Sequence, residues 1–287
     1  MEGSEPRLVT LPHGGRVRVL RHEIDRLNAR LSDLDPGRLD LPAIGDWTVR
    51  EVVAHLAVVA EFYTDGIVRG AAGEAGAAGD RPPAGTGRGE LAAAGIRRAA
   101  AVAGADDDVI GRFRRAGLGL VDVLDSDGVG LDYDCYHPGG IVAANRFLVL
   151  YLKELGLHEW DIFQALEPPC SMSRWGVDAA LQAMEEELAS GSLRWLTDPG
   201  RSPDTATIRV TTRGSVAIER DLVLEPDQTR LTAVDTGRSV DGGLSLEAAD
   251  LALGCSGRID LVAVIADKRG DGDVDGATML SRRLTGM

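Results

Sequence analysis

Residues 151–164 read YLKELGLHEWDIFQ, which indicates a long, largely apolar helix carrying two side chains that can bind a metal, Glu154 and His158. In an α-helix, residues four apart lie about one turn, roughly 6 Å, apart along the axis, so both side chains can reach one ion. Glutamate is rarely buried without a partner or a metal. The alternatives are an ion pair with Lys153 or another basic residue, or a rotated helix on which Glu154 meets water.

A third ligand candidate, His55, lies in residues 46–62, DWTVREVVAHLAVVAEF. Thr48 and Glu51 form a T-x-x-E capping box, which predicts that a helix begins there. Apolar residues recur from this point at three- and four-residue steps on the side that carries His55. Two imidazoles and one carboxylate would leave a divalent ion with positive charge and an open coordination position. A lone histidine on an apolar face is otherwise more often a core residue than a ligand.

Composition restricts the classes of partner. The chain has 287 residues and a formal net charge of −14, which argues against nucleic acid and anionic membranes because both favour basic patches. No apolar run approaches the ~20 residues of a membrane span, and the first residues lack the order of a secretory signal, so we expect a cytoplasmic protein. The cysteines lack CxxC spacing and are expected to be free thiols: Cys135, Cys170 and Cys255.

The periodicity of apolar residues changes along the chain. Helical patterns cover about 15–34, 48–69, 90–127 with a break near 104–108, 141–166 and 178–189. Beyond residue 190, strand patterns cover 205–211, 217–224, 230–235 and 259–265. The glycine- and alanine-rich residues 70–89 are expected to form a surface loop, with a mobile lid as the alternative. These patterns predict an α+β fold, with a helical bundle over 1–190 and a smaller α/β domain over 191–287.

Two segments resemble the signatures of a known family. GDWTVREVVAHL at 45–56 and KELGLHEWDIFQAL at 153–166 are similar to motifs of the mycothiol-dependent maleylpyruvate isomerase family, a branch of the DinB-like metal-binding four-helix bundles. The family motifs have the forms G-W-T-V-x-D-V-x-A-H-L and E-L-x-x-H-x-W-D-L. The chain departs from them by an inserted Asp46, by Glu51 in place of Asp and by Ile162 in place of Leu.

The resemblance implies a fold and a site. His55, Glu154 and His158 would bind the metal, usually zinc, and mycothiol would be the thiol cosubstrate. The DinB-like bundle would be followed by a domain resembling sterol-carrier proteins, whose helix is matched loosely by residues 245–258, SLEAADLALGCSGR. Arg258 at the end of this segment would hold a carboxylate of the thiol or the substrate. A solvated helix end is the alternative for Arg258.

Other side chains near the predicted metal are candidates for further roles. Asp161 could accept a proton from a ligand histidine or position substrate, with a salt bridge to an arginine as the alternative. His137 could act as an acid or base at the mouth of the site, with a surface-loop histidine as the simpler interpretation. Trp47 and Trp160 are expected to pack the bundle.

These features predict a metal-dependent mycothiol S-transferase, in which the ion keeps a small thiol ionised for transfer or exchange with an electrophilic small molecule. The alternative within the family is a maleylpyruvate-type cis–trans isomerase, in which the thiolate adds to a conjugated double bond, the bond rotates and the thiol leaves. S-transfer is favoured because it is the broader activity among similar chains. A non-enzymatic small-molecule binding module and a metal-dependent hydrolase remain open. We expect a monomer or homodimer without nucleic-acid or membrane partners.

Overall fold

The computed structural model describes residues 6–76, 88–126, 131–190 and 205–284. The chain divides into two compact units, Met1–Ala179 and Ala180–Met287. Residues 191–204 lie outside the described residues, so a domain boundary near residue 190 stays a prediction. The α+β class is confirmed, with a helical bundle followed by a smaller unit built on a sheet.

The first unit is built on a four-helix bundle. Helices α1, α2, α4 and α5 form the bundle, with α1 and α2 each packed against both α4 and α5, while α3 lies on α2. Their bounds are His13–Ser32 for α1, Val49–Ala71 for α2, Arg88–Ala105 for α3, Val109–Asp125 for α4 and Arg146–Leu166 for α5. A further helix, α6, spans Arg174–Ser190; its residues up to Ala179 belong to the first unit and those from Ala180 to the second. Short 3-10 turns cover Leu8–Thr10 and Pro36–Asp40.

Helix α2 begins where the capping box predicts. The Thr48 side chain accepts a hydrogen bond from Glu51 N, and the Glu51 carboxylate accepts one from Thr48 N. Val52, Val53 and Leu56 follow as fully buried residues. Burying each such side chain stabilises the fold by about 1.5–3 kcal/mol, so α2 is held firmly in the bundle.

A β-hairpin precedes α5, where the sequence predicted that the helix begins earlier, near residue 141. Strand β3, Asp134–His137, pairs antiparallel with β4, Gly140–Ala143, and α5 begins only at Arg146. Cys135 pairs with Val142, and both are buried. The apolar residues that suggested an extra turn of helix therefore belong to a strand. A second short pair, β1 at Pro42–Ile44 and β2 at Trp47–Thr48, precedes α2.

The predicted loop or lid lies largely outside the described residues. Helix α2 continues to Ala71 and α3 begins at Arg88, so both ends of the 70–89 segment are helical. Residues 77–87 are not among those described, and their role stays a prediction. No helix within the described ranges combines the length and apolarity needed to cross a membrane.

The second unit contains a sheet of strand order β7-β6-β5-β8-β9. Strands β5 and β8 are parallel and the other neighbours are antiparallel. The strands are β5 at Ala206–Arg213, β6 at Glu219–Glu225, β7 at Gln228–Thr232, β8 at Gly242–Glu247 and β9 at Asp271–Gly272. The helices of this unit are α7 at Ala248–Cys255, α8 at Leu261–Ala266 and α9 at Val274–Arg283.

One strand that the sequence predicted in this unit is wrong, and one helix is shorter than predicted. The predicted strand at 259–265 is helix α8, because the Asp260 side chain accepts a hydrogen bond from Val262 N and caps it. A short apolar run fits a buried strand and a buried helix equally well. The helix that the resemblance matched to residues 245–258 is present but shorter, because its first residues end β8 and α7 spans only Ala248–Cys255. After Lys268 follow β9 and α9. Asp273 caps α9 by accepting from Asp275 N and Gly276 N.

Candidate metal centre

Helices α2 and α5 bring the three predicted ligands together. His55 comes from α2, whereas Glu154 and His158 are one turn apart on α5. His55 Nε2 lies 3.6 Å from Glu154 Oε2, and His158 Nε2 lies 3.4 Å from the same oxygen. One ligand atom from each residue lies within 4.8 Å of the other two. The two imidazole rings meet edge to face, with centroids 4.8 Å apart.

This donor set fits a divalent ion such as zinc. Bonds of about 2.0–2.2 Å in a tetrahedral arrangement place neighbouring ligand atoms roughly 3.3–3.6 Å apart. The two nitrogen-to-oxygen distances around Glu154 Oε2 are close to that spacing. Three protein ligands leave the fourth position of a tetrahedral ion for a substrate, which is the pattern of catalytic zinc sites.

The two oxygens of Glu154 have different partners. Oε2 faces His55 and His158, while Oε1 lies 3.2 Å from Lys153 Nζ. Burial raises the pKa of this carboxyl, but the charge of Lys153 and the hydrogen bonds to the two histidines outweigh burial and hold the pKa well below its usual range. Glu154, which is 8% exposed, is therefore a carboxylate at neutral pH. The ion pair with Lys153 is therefore present on Oε1, whereas Oε2 faces the two histidines, and the ligand role of Glu154 stays a prediction.

Asp161 contacts the Nδ1 nitrogen of His158, one of the candidate metal ligands. His158 Nδ1 lies 2.8 Å from Asp161 Oδ2, and both residues are buried, at 5% and 2% exposure. With Nδ1–H donating to this carboxylate, Nε2 is the nitrogen that faces Glu154 and that would bind an ion. Burial lowers the pKa of His158, but the hydrogen bonds to Asp161 and Glu154 outweigh it and raise the pKa. The geometry is that of a carboxylate that orients a metal ligand, and a catalytic role of Asp161 stays a prediction.

His137 is buried in β3, so the surface-loop interpretation is wrong. Its Nδ1 accepts a hydrogen bond from Gly139 N at 3.1 Å. Burial, assisted by the charges of Lys153 and Arg146 and opposed by Glu154, lowers the pKa of His137 to about 3. The imidazole is therefore neutral at physiological pH and is a weak base. A catalytic role for it stays a prediction, restricted to the neutral ring.

Trp47 packs against the ligand histidines, a position that the sequence analysis missed. Its ring centroid lies 5.1 Å from that of His55 and 6.3 Å from that of His158, nearly parallel to the latter. Trp47 lies in β2, before the Thr48 cap of α2, so helical spacing from His55 does not predict this contact. Trp160 instead donates from Nε1 to Cys170 O at 3.1 Å.

Aromatic side chains surround the Glu154 side of the site. Tyr63 lies 4.6 Å from Phe147 and 6.3 Å from Tyr151 between ring centroids. The Tyr151 hydroxyl donates to Leu56 O at 3.1 Å, which ties α5 to α2 beside the ligands. Burial and the negative charge of Glu154 raise the pKa of both tyrosines, so both stay protonated. Tyr151 stands three residues before Glu154, a helical spacing that could have revealed it.

Arg258 belongs to the second unit and follows helix α7. Its Nη1 donates to Ser256 O at 3.1 Å, and its backbone N donates to Leu253 O. A role in holding a carboxylate of the thiol or the substrate stays a prediction.

Comparisons with known proteins connect this site to a family. A family model described as the mycothiol maleylpyruvate isomerase N-terminal domain matches residues 20–163, half of the chain, including all three candidate ligands. A crystal structure of the mycothiol-dependent maleylpyruvate isomerase is similar in fold, with a TM-score of 0.59, 13% identity and coverage of 89% of this chain and 93% of that chain. The crystal structure of a histidine-to-alanine mutant of that isomerase has a TM-score of 0.58 to this chain, with the same identity and coverage. The search of curated proteins found no match.

Proposed function

Because the chain belongs to the mycothiol maleylpyruvate isomerase family, we propose that it is a metal-dependent enzyme that uses mycothiol to isomerise a conjugated double bond. The expected substrate is a small dicarboxylate of the maleylpyruvate type. The family match supports this isomerase alternative better than the S-transfer that the sequence analysis favoured. S-transfer would use the same ionised sulfur, and product analysis separates the two.

The observation that carries the proposal is the convergence of His55, Glu154 and His158 from two helices. They would hold the ion through two nitrogens and one carboxylate oxygen. When bound, the ion would supply Lewis acidity that keeps the mycothiol sulfur ionised at neutral pH. None of the three cysteines suits this role, since burial raises the pKa of Cys135 to about 11, that of Cys255 to about 12 and that of Cys170 above its usual value.

The surrounding residues would orient the ligands and exclude water. Asp161 would keep the His158 ring in one orientation through the Nδ1–H hydrogen bond. The buried rings of Tyr63, Phe147 and Tyr151 would keep bulk water from the carboxylate side, which strengthens electrostatic interactions within the site. His137 would line the site as a neutral imidazole. Arg258 belongs to the second unit, and its binding of a carboxylate of the thiol or the substrate stays a prediction.

The test is a product analysis with the full-length protein. We expect a cis dicarboxylate with a carbonyl-conjugated double bond to become the trans isomer only when both metal and mycothiol are present, with mycothiol recovered unchanged. Accumulation of a stable mycothiol conjugate would instead establish S-transfer. Hydrolysis of a candidate substrate without any thiol would establish a hydrolase, and metal binding with no turnover of any candidate substrate would favour a binding module.

A further inference from the structure

Lys153 occupies an unusual position for a lysine on a helix. It precedes Glu154 directly in α5, and neighbouring residues on a helix do not face each other. The Lys153 side chain nevertheless reaches back to place Nζ 3.2 Å from Glu154 Oε1. The side chain is only 17% exposed, although lysine normally extends its ammonium group into water. This contact therefore costs solvation, and it is directed at one oxygen of a candidate metal ligand.

We propose that Lys153 is a positioning residue of the metal centre, an inference that rests on the proposed metal-binding function. It holds Glu154 Oε1, so the carboxylate offers only Oε2 to the ion. A carboxylate with both oxygens available can bind an ion through either one or both. By occupying Oε1, Lys153 keeps a coordination position open for the mycothiol sulfur.

The charge of Lys153 has a second effect on the same site. Two neutral imidazoles and one carboxylate partly neutralise a divalent ion, and the adjacent ammonium offsets the carboxylate. The site is therefore more positive than its three ligands alone would make it. This extra positive charge weakens the binding of a cation and strengthens the binding of a thiolate. Loss of Lys153 should thus shift the two affinities in opposite directions, whereas damage to the fold would weaken both.

The experiment compares Lys153→Met, which keeps the unbranched stem without the charge, with Lys153→Arg, which keeps the charge. Lys153→Gln provides a second neutral variant in case the first does not fold. Each full-length protein is stripped of metal and loaded with Co²⁺, whose affinity is measured by competition with a chelator. Mycothiol affinity is then read from the sulfur-to-cobalt absorption band in the near ultraviolet.

In the neutral variants we expect Co²⁺ to bind about tenfold more tightly and mycothiol about tenfold more weakly, the order expected for removal of one nearby charge. The visible cobalt band should also lose intensity, because a second carboxylate oxygen raises the coordination number. Lys153→Arg should stay within about threefold of the wild type in both affinities.

Unchanged Co²⁺ affinity in the neutral variants would overturn the proposal, and so would weaker binding of both metal and thiol. If the neutral variants bind metal and thiol normally but need more dicarboxylate for turnover, Lys153 binds the substrate and does not position Glu154. A wild-type protein that binds neither Co²⁺ nor mycothiol would refute the proposed function itself. A wild type that binds both, with neutral variants that match it, would refute only the role of Lys153.

Discussion

Asp161→Asn should weaken metal binding about tenfold without unfolding the protein. The substitution keeps the size of the side chain and an oxygen that can accept from His158 Nδ1, but it removes the charge. The 2.8 Å hydrogen bond is buried, so water does not screen it. A hydrogen bond to a charged group contributes about 1.5–3 kcal/mol, and charged hydrogen bonds are roughly twice as strong as neutral ones.

About half of that contribution, roughly 0.75–1.5 kcal/mol, should therefore be lost, and the upper value corresponds to about a tenfold change in metal affinity. This value lies at the lower end of the 10–100-fold effects typical of residues that orient a metal ligand. The assay is competition with a chelator, with circular dichroism to verify the helices. Asp122→Asn is the matched control, because Asp122 is a largely exposed residue paired with Arg21. If the Asp161→Asn variant binds metal as tightly as the Asp122→Asn control, the reasoning is refuted.

Three further predictions concern the rest of the chain. Replacing all three cysteines by serine should leave most of the activity, because burial raises the pKa of each thiol; an inactive but folded triple variant would contradict this. The hydrogen bonds from Arg209 lower the pKa of buried Asp221, so this ion pair should stabilise the second unit above about pH 4 and lose its effect as the pH falls through the lowered pKa. Urea unfolding from pH 7 to pH 3 should show that the difference in free energy of unfolding between the wild type and Asp221→Asn decreases as the pH falls. A difference that does not change with pH would exclude this ionisation as its cause. Tyr151→Phe should lower the free energy of unfolding by about 1 kcal/mol through loss of the hydrogen bond to Leu56 O, while metal content stays unchanged; loss of metal would mean that the α2–α5 spacing depends on this bond.

The ligand cluster could be predicted because it depends on two long, strongly periodic helices. The capping box at Thr48 places the start of α2, and from there the 3.6-residue period determines which face carries His55. Glu154 and His158 are one turn apart on α5, so the same period places both on one face. The remaining requirement, that α2 packs against α5, comes from the bundle that the family motifs imply.

The features that could not be predicted from the sequence depend on short elements or on side-chain conformation. An apolar run of six residues such as Leu261–Ala266 fits a strand or a helix, and here the Asp260 side chain caps and so favours the helix. The hairpin before α5 was missed because its apolar residues continue the helical pattern. The contact of Lys153 with Glu154 requires a bent side chain, and no spacing rule for neighbouring residues predicts it.

The central claim is tested most directly by the metal content of the full-length protein purified without chelators. We expect about one divalent ion per chain in the wild type and in His22→Ala, a control at an exposed histidine outside the site. His55→Ala, Glu154→Ala and His158→Ala should each lose most of the metal while keeping a folded bundle, since removing one ligand costs only a few kcal/mol. Stoichiometric metal in all three ligand variants would contradict the account.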